Sequence, residues 1–311
     1  MRVVFLGTPA FAAASLEALV DAQVEVARVV AQPDRPAGRG RATAQPAVAR
    51  LARERELALA QPENPNAPAF VEELRSLGAD VFVVVAYGYI LSRELLAAPR
   101  LGCINVHGSL LPDYRGASPV ACAILDGVSG TGVTTMWLDE GIDTGDIILQ
   151  RYVPIDPEET AGELSDRLAH EGAGLLVETL RAVEAGTAPR IPQDRSVGRY
   201  CRKLRKEEGV IDWSQDAERV VRHVRAMTPW PGARSAFRAE GAAELVDVTV
   251  ERARVHDLVA REAPAGTVEP GPSVVCGRGT VELVRVRPAG RKSMAASDWW
   301  RGLRATAGRF S

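Results

Sequence analysis

Cysteine and histidine are scarce in this chain of 311 residues, which has four of each. The cysteines, at positions 103, 122, 201 and 276, include no C-x-x-C pair, and the histidines are equally dispersed. Zinc and other transition-metal sites need several such ligands close together, usually at short spacing. The sequence therefore predicts no metal site.

Long apolar runs are also missing, since no run approaches the roughly 20 residues that span a bilayer. The chain begins with Arg2-Val3-Val4-Phe5-Leu6, which has the pattern of a strand rather than of a charged leader and an apolar signal segment. With 46% hydrophobic and 25% charged residues, the chain can bury a sizeable core and is long enough for two domains. We expect a cytoplasmic, monomeric protein that does not bind membranes.

Two common nucleotide-binding motifs are absent. Gly7-Thr8-Pro9 follows the first predicted strand but is not the G-x-G-x-x-G that binds dinucleotides. Gly38-Arg39-Gly40-Arg41 lacks the G-K-[ST] ending of a phosphate-binding P-loop. The sequence thus argues against both of these nucleotide sites.

Lysine is rare as well, and its three residues all lie after position 200. Residues 201–311 carry 20 Lys and Arg against 14 Asp and Glu, whereas residues 1–200 carry 18 against 26. A basic C-terminal part suits a polyanionic partner such as a nucleic acid. Heavy use of arginine throughout the chain would explain the same count.

Strands and helices alternate through the first 188 residues. We predict strands over 3–7, 24–31, 80–86, 102–106 and 132–138, and helices over 11–20, 47–56, 68–77, 119–125 and 160–184. The unbroken apolar run 80–86 is typical of a buried parallel strand. This alternation predicts an α/β domain with a Rossmann-like, doubly wound, mostly parallel sheet.

The remainder of the chain has a different pattern. Residues 189–206 are polar and basic and predict a linker. A helix over 213–226 and short Val-rich strands over 244–252, 273–276 and 280–287, separated by Gly and Pro turns, predict a small β-barrel. The predicted domains are therefore 1–188 and 207–311.

Three polar residues stand out at predicted strand ends. Asn105 and His107 alternate with Val106, so their side chains should share one face at the carboxyl end of a strand, where open α/β sheets bind ligands. Asp143 follows the predicted strand 132–138 and could close the site from a neighbouring strand end. An amide, an imidazole and a carboxylate can stabilise an oxyanion and move a proton in acyl transfer. Taken singly, His107 could be a satisfied structural histidine and Asp143 a turn former.

Seven stretches of the sequence, in order between Met1 and about Ala296, resemble one family. They are Gln32–Gly40, Val83–Gly88, Gly102–Pro112, Gly141–Asp146, Lys203–Glu208, Ile211–Trp213 and Pro229–Pro231. Together they resemble the methionyl-tRNA formyltransferases. Asn105, His107 and Asp143 alone would indicate only the wider group that uses 10-formyltetrahydrofolate, and the first stretch and the second domain narrow the resemblance.

The resemblance implies a fold and a reaction. A formyltransferase-fold domain would bind 10-formyltetrahydrofolate, and an OB-like barrel would bind initiator methionyl-tRNA. The methionine α-amine would attack the formyl carbon directly, without an acylated enzyme. Asn105 and His107 would stabilise the oxyanion, and Asp143 would hold His107 cationic and accept the proton of the amine, directly or through a water.

Binding residues follow from the same resemblance. Candidates for folate are the end of the run 83–90 and a Pro-containing turn, namely Tyr87, Gly88, Ile90, Ser109, Leu110, Leu111 and Pro112. A flat pterin ring could lie against this wall, although core packing explains the preceding valines equally well. Asp113 stands where the family often has a basic residue, so contacts near this turn could differ.

For tRNA, the resemblance points to Arg39 as the principal contact, and we add Arg41, Lys203 and Lys206. The loop that carries Arg39 and Arg41 could instead be an ordinary surface loop. Three other functions also remain open. They are formylation of a nucleotide or sugar-nucleotide amine, hydrolysis of the same folate, and noncatalytic RNA binding, in which case the three polar residues would be a coincidence.

Overall fold

The computed structural model describes residues 1–37, 42–269, 271–303 and 307–311. These residues form two compact units. The first comprises residues 1–119, 130–154 and 165–201, and the second comprises residues 120–129, 155–164 and 202–311.

A seven-stranded sheet forms the centre of the first unit. In chain order, the elements up to residue 201 are β1 (Arg2–Gly7), α1 (Ala10–Asp21), β2 (Glu25–Val30), β3 (Arg35–Ala37), β4 (Ala42–Ala44), α2 (Ala47–Glu54), β5 (Leu59–Ala60), α3 (Pro68–Ser76), β6 (Val81–Val85), α4 (Arg93–Leu96), β7 (Gly102–His107), β8 (Arg115–Gly116), α5 (Pro119–Asp126), β9 (Gly130–Trp137), β10 (Ile147–Pro154), α6 (Ala161–Glu184) and β11 (Tyr200–Cys201). The sheet order is β10-β9-β7-β6-β1-β2-β5. The five adjacent strands β7, β6, β1, β2 and β5 are parallel to one another. Strand β9 is antiparallel to both of its neighbours, β7 and β10. The predicted mostly parallel, Rossmann-like sheet is confirmed.

Helices cover both faces of this sheet because alternate strand residues point to opposite sides. On one face, Val3, Phe5 and Val106 pack with apolar residues of α1, α2 and α6. On the other face, Val4, Leu6 and Phe82 pack with α3 and α4. All five residues of β6 are buried, as the apolar run predicts for a central parallel strand.

A closed β-barrel forms most of the second unit. Its elements are a 3-10 helix (Lys206–Gly209), α7 (Ala217–Met227), β12 (Ala233–Ala239), β13 (Val246–Asp257), β14 (Thr267–Glu269), β15 (Ser273–Val275), β16 (Thr280–Pro288), β17 (Met294–Ala295), α8 (Ala296–Leu303) and β18 (Gly308–Phe310). Antiparallel pairing runs β13-β12-β18-β14-β15-β16, and β16 pairs with β13 to close a ring of six strands. The predicted small barrel is confirmed, with one strand more than the five of an OB fold.

Two stretches differ from the sequence-based expectation. The helix predicted from 213 begins at Ala217, because the Asp212 carboxylate accepts hydrogen bonds from the Ser214 N–H at 3.0 Å and the Gln215 side chain at 2.8 Å. Such a side-chain turn competes with a helical start. Within the predicted linker, Ile191 forms a bridge with Ile147, and β11 pairs with β8. Residues 189–201 are thus part of the first unit.

Within the described part of the chain, no helix is both long and apolar enough to cross a bilayer.

Candidate active site

Strand β7 carries two polar side chains on one face. Asn105 and His107 are buried, with 9% and 6% of their surface exposed, and Ile104 and Val106 point into the core on the opposite face. Cys103, two residues before Asn105, packs with the α3 and α4 side of the sheet. The alternation in Asn105-Val106-His107 therefore directs both polar groups to the same side.

The loop between β9 and β10 brings Asp143 to these two residues. Its Oδ1 atom accepts a hydrogen bond from Asn105 Nδ2 at 3.3 Å, and its Oδ2 atom lies 3.6 Å from His107 Nδ1. Asp143 follows β9, the neighbour of β7, as the sequence indicates, but β9 is antiparallel to β7 and pairs Trp137 with Ile104, so it does not end beside the carboxyl end of β7. The loop must therefore return towards the end of β7, and Asp143 adopts a left-handed conformation with φ 53°.

Both ring nitrogens of His107 face oxygen atoms. Nε2 lies 2.9 Å from the Tyr114 carbonyl oxygen, which can only accept a hydrogen bond, so Nε2 must carry a proton. Nδ1 faces Asp143 Oδ2 at a distance longer than a hydrogen bond. The Tyr114 carbonyl thus fixes the orientation of the ring and leaves Nδ1 turned towards the Asp143 carboxylate.

Gly116 supplies a further hydrogen bond to Asp143. Its backbone N–H donates to Asp143 Oδ2 at 2.8 Å. A side chain at this position would collide with backbone, because a Cβ atom would lie 2.4 Å from the Cys201 carbonyl oxygen, and its φ is 103°. The glycine of the Tyr-Arg-Gly sequence thus lets its own N–H approach the carboxylate.

The candidate folate turn is held together by side chains. Ser109 Oγ donates to the Asp113 carbonyl at 2.6 Å, and Thr134 Oγ1 donates to the Ser109 carbonyl at 2.7 Å. Gln150 donates to the Leu111 carbonyl at 2.8 Å. The Ser109 hydroxyl is therefore engaged within the turn, where Leu111 is buried and Leu110 and Pro112 are half-buried.

The other folate candidates lie after β6, whose Val84 pairs with Asn105. The Tyr87 ring is buried in the core, and burial raises the pKa of its hydroxyl. The Tyr87 carbonyl accepts hydrogen bonds from Thr8 at 3.0 Å and from Gln32 at 2.9 Å. Gly88 is exposed, and Ile90 is 80% exposed. This segment thus presents the Gly88 backbone and the Ile90 side chain, but not the Tyr87 ring.

The candidate tRNA contacts are only partly described. Lys203 and Lys206 are exposed in the second unit, and neither ammonium group has an ion-pair partner in the described ranges. Arg39 and Arg41 lie outside the described residues. Among the residues that the structure describes, no three or more His, Cys, Asp or Glu side chains cluster so that they could hold a metal ion.

Gln193 was not indicated by the sequence, yet it contacts the Asp143 loop. Its side-chain nitrogen donates to the Asp143 carbonyl at 3.0 Å and to the Gly145 carbonyl at 2.7 Å. Thr134 and Gln150 at the folate turn were missed as well. None of the three lies in a recognisable motif, so no sequence signal could have found them.

Similarity to known proteins extends over almost the whole chain. Residues 1–180 match the formyl transferase family, and residues 203–304 match the formyl transferase C-terminal domain. The chain is 45% identical to methionyl-tRNA formyltransferase of Moorella thermoacetica over 97% of this chain and 96% of that protein. It is 46% identical to the protein of the same name from a Roseiflexus species over 99% of this chain and 94% of that protein.

A solved structure shares the fold. It is an N-formyltransferase from Helicobacter canadensis, determined with folinic acid and dTDP-3-aminofucose, with a TM-score of 0.65 at 17% identity over 91% of this chain and 99% of that chain. Sequence identity this low supports a shared fold and nothing more. The family matches and the near full-length relatives go further: the chain belongs to the formyl transferase family, and within it to the methionyl-tRNA formyltransferases.

Proposed function

We propose that the protein transfers the formyl group of 10-formyltetrahydrofolate to the α-amine of methionine on initiator tRNA. The observation that carries the proposal is the placement of the Asp143 carboxylate against both Asn105 and His107 at the end of β7. The similarity to methionyl-tRNA formyltransferases over nearly the full length supports the choice of acceptor.

Asn105 and His107 stabilise the negative charge that develops when the amine attacks the formyl carbon. Asn105 Nδ2 has two N–H groups, of which one faces Asp143, so the second is available to the formyl oxygen. His107 Nε2 is engaged by Tyr114, so Nδ1 is the ring nitrogen that donates. Two donors aimed at one developing oxyanion form an oxyanion hole, and losing one typically costs about 10²-fold or more in rate.

Asp143 moves the proton. Its carboxylate accepts the proton that the amine must lose, directly or through an ordered water, and the proton ends on N10 of the folate as the bond between N10 and the formyl carbon breaks. The same carboxylate places a negative charge 3.6 Å from His107 Nδ1, the nitrogen assigned to the oxyanion. No side chain is acylated, since Ser109 is engaged within its turn.

The folate binds beside this group. The exposed Gly88 backbone, the exposed Ile90 side chain and the half-buried turn residues Leu110 and Pro112 offer a surface to a flat pterin ring, and Ser109 and Leu111 hold the turn. Tyr87 takes part through its backbone, because its ring is buried in the core. These residues follow β6 and β7, two neighbouring strands that pair Val84 with Asn105.

The tRNA is bound by Arg39, Arg41, Lys203 and Lys206 together with the barrel. Lys203 and Lys206 are exposed cations without carboxylate partners in the part of the chain that the structure describes, as phosphate contacts require. The protein acts as a monomer in the cytoplasm, where aminoacylated tRNA is available.

The test compares four reactions of the purified protein supplied with 10-formyltetrahydrofolate. The acceptors are initiator Met-tRNA, a ribonucleotide amine, a sugar-nucleotide amine, and water. We expect formylation of Met-tRNA to have the highest kcat/KM. Faster formylation of either small amine, or faster hydrolysis of the folate, would replace the proposal by the corresponding alternative.

A further inference from the structure

The side-chain amide of Gln193 joins two parts of the first unit. Its nitrogen donates to the carbonyls of Asp143 and Gly145, and its oxygen accepts from Nε and Nη2 of Arg115 at 3.1 and 2.9 Å. Carbonyls only accept and a guanidinium only donates, so one orientation of the amide satisfies all four hydrogen bonds. Gln193 thereby fixes the backbone on both sides of Thr144.

Arg115 holds Gln193 in place. The arginine is only 8% exposed, and its remaining hydrogen bonds go to the carbonyls of Asp194 at 3.0 Å and Val197 at 3.2 Å. Burying a charge is unfavourable, and because Arg115 has no carboxylate within ion-pair distance among the described residues, its hydrogen bonds to neutral oxygens offset most of that cost. All of these bonds hold residues 193–197.

The neighbours of Arg115 hold the ionisable residues themselves. The Tyr114 carbonyl accepts the hydrogen bond from His107, and the Gly116 N–H donates to the Asp143 carboxylate. Three consecutive residues therefore fix the His107 ring, the Asp143 side chain and, through Gln193, the Asp143 backbone.

We infer that Gln193, held by Arg115, is a positioning residue for Asp143. The inference rests on the proposed role of Asp143 in formyl transfer. A left-handed conformation is unfavourable for a residue with a side chain, so the loop needs outside contacts to keep Asp143 at φ 53°. The amide of Gln193 supplies two of them, and without it the carboxylate leaves its contacts with Gly116 and Asn105.

The first test replaces Gln193 by methionine, which keeps the length of the side chain and removes every hydrogen bond. Because a displacement of about 1 Å in an active site can cost up to about 10²-fold in rate, we expect kcat to fall by about 10- to 100-fold. The KM for 10-formyltetrahydrofolate should change little. A Gln193→Met variant with the kcat of the parent protein would overturn the inference.

Gln150→Met is the matched control. Gln150 also donates its amide to a loop carbonyl, that of Leu111, and to Thr134 Oγ1 at 3.0 Å, but it holds the folate turn. This variant should raise the KM for the folate more than it lowers kcat. If both variants changed kcat and KM in the same way, Gln193 would have only a general structural role.

Gln193→Glu separates hydrogen bonding from packing. Glutamate has nearly the same shape, but it sets a carboxylate oxygen against the carbonyl oxygens of Asp143 and Gly145. We expect a loss of kcat at least as large as that of Gln193→Met. A fully active Gln193→Glu variant would contradict the inference.

The last test combines Gln193→Met with Asp143→Asn. Asp143→Asn alone should lower kcat by roughly 10²-fold or more, as when an orienting carboxylate is lost. If Gln193 acts through Asp143, the double variant should be scarcely slower than Asp143→Asn, whereas multiplied losses would overturn the inference. Near-normal turnover of Asp143→Asn would instead disprove the proposed role of Asp143 itself.

Discussion

His223 on α7, in the second unit, is a buried ionisable side chain. Its Nε2 atom is buried without a hydrogen-bond partner among the described residues. Burial lowers the pKa of His223 below its ordinary value, although a hydrogen bond to the Gly209 backbone and the nearby Asp212 and Glu208 oppose the shift. The folded second unit therefore favours the neutral ring.

This residue should make stability depend on pH. Below the ordinary histidine pKa of about 6.5, the unfolded chain binds a proton at position 223 that the folded chain does not, so the free energy of unfolding falls as pH decreases. One such group contributes at most about 1.4 kcal/mol per pH unit. Denaturant titrations at pH 7.5 and 5.5 should show a smaller difference for His223→Gln than for the parent. An unchanged difference would contradict the assignment.

Residue types in the sequence indicated the residues at the centre of the site but not the residues that hold them in position. Asn105, His107 and Asp143 carry functional groups with distinctive chemistry, and the resemblance gives their positions. Gln193 and Gln150 act on backbone carbonyls, which every residue has, so no sequence pattern identifies their partners. Arg115 could be seen in the Tyr-Arg-Gly stretch, but nothing in the sequence shows that its donors point to residues 193–197.

Helix α6 packs closely behind the strand of the site. A Cβ atom on Gly172 would lie 2.8 Å from Val106 Cγ1, whereas one on Gly174 would meet only the Arg151 guanidinium at 3.4 Å. Val106 lies between Asn105 and His107 on β7. The close packing of α6 against Val106 therefore holds in place the strand that carries both polar residues.

Replacing these two glycines by alanine should have opposite effects. Gly172→Ala forces the helix away from a packed strand and should destabilise the protein by about 1–3 kcal/mol. Gly174→Ala replaces glycine inside a helix without a clash and should stabilise it by about 0.5–1 kcal/mol. Urea titrations of the two variants beside the parent measure both changes. Destabilisation by both, or by neither, would contradict this account of α6.

Among the elements, hydrophobic periodicity predicted most of the helices and the central strands. It did not predict the direction of a strand, and it missed strands whose apolar and polar residues alternate only weakly. Nothing in the run 132–138 distinguishes a parallel from an antiparallel neighbour of β7, and β9 is antiparallel. Strand β12 was missed because two of its three buried positions are Ala233 and Ser235, which give little hydrophobic signal. Strand β10 was missed because it lies at the edge of the sheet and contains the adjacent polar residues Gln150 and Arg151, which interrupt its apolar pattern.

The uneven charge of the whole chain leads to a test of tRNA binding. Four phosphate contacts would give a slope of roughly −3 in log affinity against log salt concentration, or about 50-fold weaker binding at 200 mM than at 50 mM salt. Folate affinity, which depends on few charges, should change little. Filter binding of tRNA and fluorescence titration of folate over this salt range measure the two slopes.

Two lysines provide the matched variant. Replacing Lys203 and Lys206 by glutamine should reduce the tRNA slope by about 1.5, roughly 0.7 for each ammonium group that no longer neutralises a phosphate. Arg254→Gln is the control, because Arg254 is already paired with Glu282 at 2.7 Å. Equal slopes for the lysine variant and the parent would remove both lysines from the proposed tRNA-binding residues.

The order of strands around the barrel also determines when the barrel can close during synthesis. β18 inserts between β12 and β14, pairing Phe310 with Phe237, and it follows every other strand of the ring in the sequence. A ribosome must therefore deliver the whole barrel before these two ladders can form, although the strands of the first sheet are already complete. Until then β12 and β14 each expose a free edge, and edges of this kind pair readily with other chains. Between synthesis of β12 and of β18, the nascent protein therefore carries two unpaired barrel edges that need protection from aggregation.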